Sequence, residues 1–263
     1  MLLRVVEYAR AASVEEAIRL LAANDGARAL AGGQTLINVM KARAAAPDLL
    51  VDLNDLGELR EIRAGGDGSL EIGAMATYTE LALSSEVAAA RPIIGEVAAT
   101  IADVQVRNRG TIGGNVCSND PTNHFPPLMA ALDARFTIAG QQGERTVSAG
   151  EFFLGVYLTA VGQAELLTRI TVPAGGRAGF SAVTIGKDGT CIANAAVSLD
   201  GAGGTRVVLG CVDAVPLLFG SLDEARAAKL DPPGDVHATA AYRRHLANVC
   251  AERAYAQAEG ANA

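Results

Sequence analysis

Two glycine-rich junctions constrain this chain more than any other feature: Ala31-Gly32-Gly33-Gln34-Thr35-Leu36 and Gly110-Thr111-Ile112-Gly113-Gly114-Asn115. The first stands between an apolar run, Ala27 to Ala31, that reads as a strand and a segment, Leu36 to Arg43, that reads as a helix. Consecutive backbone N–H groups at a helix N-terminus form an anion cradle. Glycine lets that backbone approach a phosphate oxygen with no Cβ in the way. Thr35 and Thr111 each add a hydroxyl. Either cluster alone is equally an ordinary turn, and neither matches the G-x-G-x-x-G or P-loop patterns. Two of them, roughly 80 residues apart in different folding units, point to a diphosphate held between two lobes, and so to a dinucleotide-type cofactor.

Composition narrows the partners. Half of the 263 residues are apolar, enough for a substantial core. Twenty-two basic against 29 acidic residues give a net charge of −7, a poor field for attracting nucleic acid or anionic lipid. The longest apolar stretch, Phe152 to Gly162, falls short of the ~20 residues that span a bilayer. The N-terminal MLLRVVEYARAAS lacks the apolar core of an export signal. Cys117, Cys191, Cys211 and Cys250 are isolated in sequence, with no C-x-x-C pair to suggest zinc or an iron–sulfur cluster. A reduced, cytoplasmic protein whose cysteines are mostly small core residues is expected.

Along the chain, Ser13 with Glu16 reads as a capping box opening a helix that Gly26 ends in a left-handed cap. Leu49 to Leu53 reads as a strand. Beyond Asn54, short strands are expected at Leu59–Arg63 and Leu70–Ala74. Helices are expected from Thr77 to Leu83, Arg91 to Ile101 and Pro126 to Leu132. Further strands follow at Ala134–Ala139, Thr146–Ser148 and Leu166–Val172, with a helical turn over Ala149–Phe153. Pro173 to Gly179 reads as a linker. After it come three strands (Phe180–Ile185, Ile192–Leu199, Arg206–Cys211) and two helices (Leu222–Leu230, Ala238–Gln257), an α+β unit with a three-stranded antiparallel sheet.

Acid–base groups are scarce. His237 and His245 lie on or beside the last helix, where solvated or capping roles fit. His124 follows the second junction, either contacting a ribose or adenine or only entering a helix. Arg107 and Arg109 read as salt-bridge partners of nearby acids. No Ser-His-Asp pattern or G-x-S-x-G elbow stands out. Chemistry here would be carried by a cofactor.

Two longer stretches, AGGQTLINVMKARAAAPDLLVDLNDLGELREI and QVRNRGTIGGNVCSNDPTNHFPPLMAALDA, resemble the two flavin-binding signatures of the FAD-binding medium subunit of molybdenum hydroxylases. That family includes the flavoprotein subunits of carbon monoxide dehydrogenase and xanthine dehydrogenase. The resemblance extends through LEIGAMATYTELALS and EFFLGVYLTAVGQAELLTRITVP to YRRHLANVCAERAYAQA, essentially the whole chain. It implies an α+β fold: a two-lobed FAD-binding domain of the vanillyl-alcohol oxidase type over 1–173 (lobes about 1–55 and 56–173), then a C-terminal domain over 174–263. It implies a large molybdenum–pterin subunit and a small [2Fe–2S] subunit as partners, an external electron acceptor, and a dimer of heterotrimers.

Carried over by residue, the resemblance implies that Ala31, Gly32, Gly33, Gln34, Thr35 and Leu36 contact the pyrophosphate. Thr111, Ile112, Gly113, Gly114 and Asn115 wrap the diphosphate and ribityl side. Ile101 and Ala102 meet the isoalloxazine ring, Leu167 contacts the nucleotide, and Lys187 passes near the ring. His124 stands where relatives often place a ribose-binding Asp. Its imidazole can still bond a hydroxyl. The stretch after Phe180 also departs from the family, which leaves NAD, quinone, oxygen or a carrier protein open as acceptor. A freestanding flavin oxidase of the same fold and a non-catalytic nucleotide-binding assembly module are the competing readings. About 90 residues after Pro173 are few for a substrate domain, and a colourless purified protein would point to the assembly module.

Overall fold

The computed structural model describes residues 3–186, 189–200 and 204–260. The chain opens with β1 (Glu7–Arg10), α1 (Val14–Ala22), β2 (Ala27–Leu30), α2 (Leu36–Lys41) and β3 (Leu49–Asp52). The strands form a parallel sheet in the order β1-β3-β2, with Glu7 and Ala27 both opposite Leu49. Parallel strands need crossovers, and α1 and α2 supply them. Glu7–Arg10 carries no apolar alternation and stays mostly exposed, so this edge strand has little sequence signal.

The second unit runs through β4 (Ile62–Ala64), β5 (Leu70–Gly73), α3 (Tyr78–Leu83), α4 (Ser85–Ala90), α5 (Pro92–Thr100), α6 (Val104–Arg107), α7 (Ile112–Ser118) and α8 (Phe125–Ala131). It continues through β6 (Arg135–Gly140), β7 (Gly143–Ser148), α9 (Ala149–Phe152), β8 (Phe153–Gly155), β9 (Leu158–Thr159) and β10 (Glu165–Val172). Its sheet is antiparallel, in the order β4-β5-β10-β6-β7. Leu70, Ile72, Phe136, Ile138 and Ile170 bury one face against the helices. Phe136 stacks on Phe152 at 4.0 Å between centroids. Leu59 belongs to a 3-10 turn, Gly57–Arg60, and β4 begins at Ile62, later than the expected strand. Met75, Ala139 and Leu166 join the core of the first unit, so the two units share apolar surface.

The last unit contains β11 (Arg177–Thr184), β12 (Cys191–Leu199), β13 (Thr205–Gly210), β14 (Leu217–Phe219), α10 (Leu222–Ala227) and α11 (Ala240–Glu259). The sheet has four strands, not three. Leu217–Phe219 pairs with β13 but is too short to stand out in the sequence. The α11 face carrying Leu246, Ala247, Cys250, Ala251, Ala254 and Ala258 is buried on it. These small side chains bring helix and sheet close: a Cβ at Gly179 would lie 2.0 Å from the Ala254 carbonyl. The other sheet face meets α8, where Ala196 and Val208 enter the core of the second unit. No helix of the described residues is long and apolar enough to cross a membrane.

Candidate functional site

The first junction is a bare backbone pocket. Among the described residues, the N–H groups of Gly32, Gly33, Gln34, Thr35 and Leu36 have no protein acceptor. Backbone donors are normally paired, and a run of free ones at the start of a helix is a ready anion site. Gly33 holds φ +73°, a conformation glycine adopts without strain. Gln34 Nε2 folds back onto the Gly32 carbonyl at 3.0 Å and Asn54 Nδ2 donates to the Ala31 carbonyl at 3.1 Å, so the loop is anchored through its oxygens while its amides stay open. Asn54 is held by Asp52, a buried carboxylate that also accepts the Tyr8 hydroxyl. Burial alone would raise the Asp52 pKa, but the bonds from Tyr8 and Asn54 outweigh it and lower the value.

The second junction meets the first directly. A Cβ at Gly32 would fall 2.0 Å from the Arg109 carbonyl oxygen, and one at Gly114 would lie 3.9 Å from the Ala31 side chain. The expectation of two equivalent cradles needs correction. Ile112 N–H bonds the Ala76 carbonyl and Gly113 N–H the Ala74 carbonyl, while Gly114 N–H bonds Thr111 Oγ1 and Asn115 N–H the Thr111 carbonyl. The amides of Ile112 through Asn115 are engaged inside the protein. Here glycine serves close packing: a Cβ at Gly113 would lie 2.5 Å from the Ala74 carbonyl. The second junction is a wall set against the first, not a second row of free donors.

Ile101 and Ala102 form the turn between α5 and α6, with Ala102 at φ +44°. Arg107 fixes that turn by donating to the Ile101 carbonyl at 3.0 Å and the Ala102 carbonyl at 2.5 Å. Among the described residues no acid pairs with Arg107 or Arg109, which corrects the salt-bridge expectation: backbone oxygens took the place of carboxylates for Arg107. A lone arginine in the sequence does not show that its partner is a strained turn a few residues back.

His124 faces the last unit. Its ring centroid lies 5.2 Å from that of Phe180. Interactions with Cys211 and then with His124 outweigh burial and hold the Cys191 thiol below its ordinary value. Cys191, Cys211 and Cys250 are buried, and Cys117 is half-buried. Leu167 is a core residue of β10, 5% exposed, beside a β-bulge at 168. Lys187 lies outside the described residues. A cleft of about 540 Å³ between α1 and the second sheet is lined by Glu15, Glu58, Glu61, Glu71 and Glu144 against Arg63 and Arg169, a net negative lining that does not suit a diphosphate.

The free amides, the positive-φ glycine and the backbone contact between junctions fit the pyrophosphate of a dinucleotide. Residues 4–175 match the family described as the FAD binding domain in molybdopterin dehydrogenase. The carbon monoxide dehydrogenase medium chain of Afipia carboxidovorans is 45% identical over 168 residues, 64% of this chain and 58% of that protein, so the matched stretch spans little more than half of that relative. The 6-hydroxypseudooxynicotine dehydrogenase complex subunit alpha of Paenarthrobacter nicotinovorans is 34% identical across 96% of this chain and 94% of its own. A solved structure of carbon monoxide dehydrogenase from Hydrogenophaga pseudoflava superposes with a TM-score of 0.93 at 35% identity, covering 100% of both chains. This chain belongs to the family of FAD-binding medium subunits of molybdenum hydroxylases.

Proposed function

We propose that this chain is the FAD-carrying electron-transfer subunit of a heteromeric molybdenum hydroxylase. In this reading it takes electrons from a small [2Fe–2S] subunit and passes them to an external acceptor, while a large molybdenum–pterin subunit oxidises the substrate. The complex is a cytoplasmic dimer of such heterotrimers. The observation that carries the reading is the row of free N–H groups from Gly32 to Leu36, closed on one side by the Arg109–Gly110 backbone.

Each residue has a physical task. The amides of residues 32–36 would offset the two negative charges of the pyrophosphate. The Gly114 face and the backbone at Arg109 would close the pocket from the second lobe. The Ile101–Ala102 turn, clamped by Arg107, would bear on the isoalloxazine ring. Leu167, His124 and Lys187 belong to the same reading, with the His124 ring beside Phe180. FAD, when bound, supplies electron transfer between donor and acceptor. The relay needs no general base from this chain, which suits the scarcity of acid–base residues. The vanillyl-alcohol oxidase arrangement, with domains at 1–173 and 174–263, completes the proposal.

Expression of the full chain and analysis of the nucleotide released on denaturation test the reading. It predicts a yellow protein with one FAD per chain. A colourless protein that takes up no flavin on reconstitution would overturn it.

A further inference from the structure

We propose that Tyr78 is a positioning residue for the cofactor: it holds the Asn115 carboxamide so that Oδ1 is left to accept a hydrogen bond from a hydroxyl of the bound dinucleotide. The inference rests on the reading that this chain binds FAD.

Asn115 is 9% exposed. Its Nδ2 donates to the Tyr78 hydroxyl at 2.9 Å. Its Oδ1 has no hydrogen-bond partner among the described residues. Native interiors rarely leave a buried amide oxygen without a donor, so the donor is to be sought outside the chain. Asn115 follows Gly114, where a Cβ would lie 3.9 Å from the Ala31 side chain, next to the amide pocket that begins at Gly32. A phosphate offers only acceptors there and cannot satisfy an oxygen. The groups flanking FAD's diphosphate are the ribityl chain on one side and the ribose on the other, and the hydroxyls of both can.

Tyr78 is itself fixed on every side. Its ring is 5% exposed and stacks on Phe125 at 5.7 Å. Its N–H donates to the Gly110 carbonyl at 3.1 Å, and a Cβ at Gly110 would meet its ring at 2.7 Å. Burial pushes its phenol up to about 12, so it stays a neutral hydroxyl over the whole working range. A rigid phenol on one end of the amide decides which way the other end points.

The test is titration of the flavin-free full chain with FAD, followed by flavin fluorescence, for wild type, Tyr78→Phe, Asn115→Ala and the double variant. The expected result is a five- to tenfold weaker FAD affinity for Tyr78→Phe, roughly the loss of one hydrogen bond. Asn115→Ala loses at least as much, and the double variant is no weaker than Asn115→Ala alone. If Asn115→Ala does not fold, Asn115→Ser takes its place. A packing role alone would lower the melting temperature of the flavin-free protein and leave affinity unchanged. Wild-type affinity in Tyr78→Phe, or penalties that multiply in the double variant, would overturn the inference. Titrations with FMN and with ADP separate the two sugars: a Tyr78→Phe penalty with FMN assigns the hydroxyl to the ribityl chain, and one with ADP to the ribose. Wild type that binds no FAD would instead overturn the underlying reading, and the inference with it.

Discussion

Gly32 and the Arg109 carbonyl are in backbone contact: a Cβ placed on residue 32 would lie 2.0 Å from that oxygen. The contact sets the Gly32 loop of the first unit against the turn that starts α7. Gly32→Ala is therefore expected to force the two backbones apart. The strain costs about 1–3 kcal/mol of stability, the usual range for overpacking. Denaturant unfolding measures it, and flavin content should fall in parallel. Unchanged stability and flavin content would show that the two backbones are not apposed.

Gly33→Asp places a negative charge on the amide pocket and an L side chain at φ +73°. Gly114→Asp places one on the opposing wall, where a Cβ already lies 2.9 Å from Thr111 Oγ1. Each should weaken FAD binding by about tenfold or more through charge repulsion at the diphosphate. The last unit, built around α11, should keep its fold. Flavin content together with circular dichroism checks both halves of the expectation.

Arg91 sits 5% exposed at the start of α5 and donates to the Pro173 carbonyl at 2.6 and 3.1 Å and to the Gly176 carbonyl at 2.9 Å. Burial lowers its pKa, but not enough to discharge a guanidinium. It clasps the segment that leads into β11. Arg91→Met is expected to cost about 2–3 kcal/mol, because it removes the charge-assisted hydrogen bonds to the Pro173 and Gly176 carbonyls. Protease cutting between residues 173 and 177 should also become faster. Wild-type stability and cutting rate in this variant would contradict the clasp.

Asp235 accepts the backbone N–H groups of His237 and Ala238 and the Arg243 guanidinium, which pull its carboxyl down to about 2. An unfolded Asp titrates near ~3.9. The folded value is depressed, so this contribution to stability is fully present above pH ~4 and is lost as pH falls toward 2. Unfolding midpoints measured across that window should drop more steeply for wild type than for Asp235→Asn. Parallel slopes would remove Asp235 as a source of the acid sensitivity.

Much of the architecture was legible where local chemistry is strong. Thr77 and Glu80 make the reciprocal cap that starts α3, and Ser13 accepts the Glu16 N–H at the start of α1. Glu16, however, reaches past Ser13 to the Ala12 N–H, so the box expected there is only half made. Gly26 is not left-handed. Its N–H bonds Asn24 Oδ1, and a Cβ there would meet the exposed Asp48 carboxylate, a side chain that can turn aside. Sequence spacing marks where the chain turns, not the backbone conformation it takes there.

The site was legible in outline for the same reason. Both junctions read as small-residue turns, and both are brought together, yet only the structure separates the open amides of 32–36 from the engaged ones of 112–115. The acceptors of Ile112 and Gly113, Ala76 and Ala74, lie in a segment that no local pattern links to Thr111. Tyr78 and Asn54 were missed because each acts on the site through one long-range bond, to Asn115 and to Ala31.

The central claim, that a bare amide pocket from residue 32 to residue 36 grips a flavin dinucleotide, is tested most directly by hydrogen–deuterium exchange of those amides with and without FAD. They have no protein acceptor and should exchange freely in the flavin-free protein, then become strongly protected when FAD binds, while residues 112–115 change little. FAD bound at full occupancy with unaltered exchange over 32–36 would contradict the account.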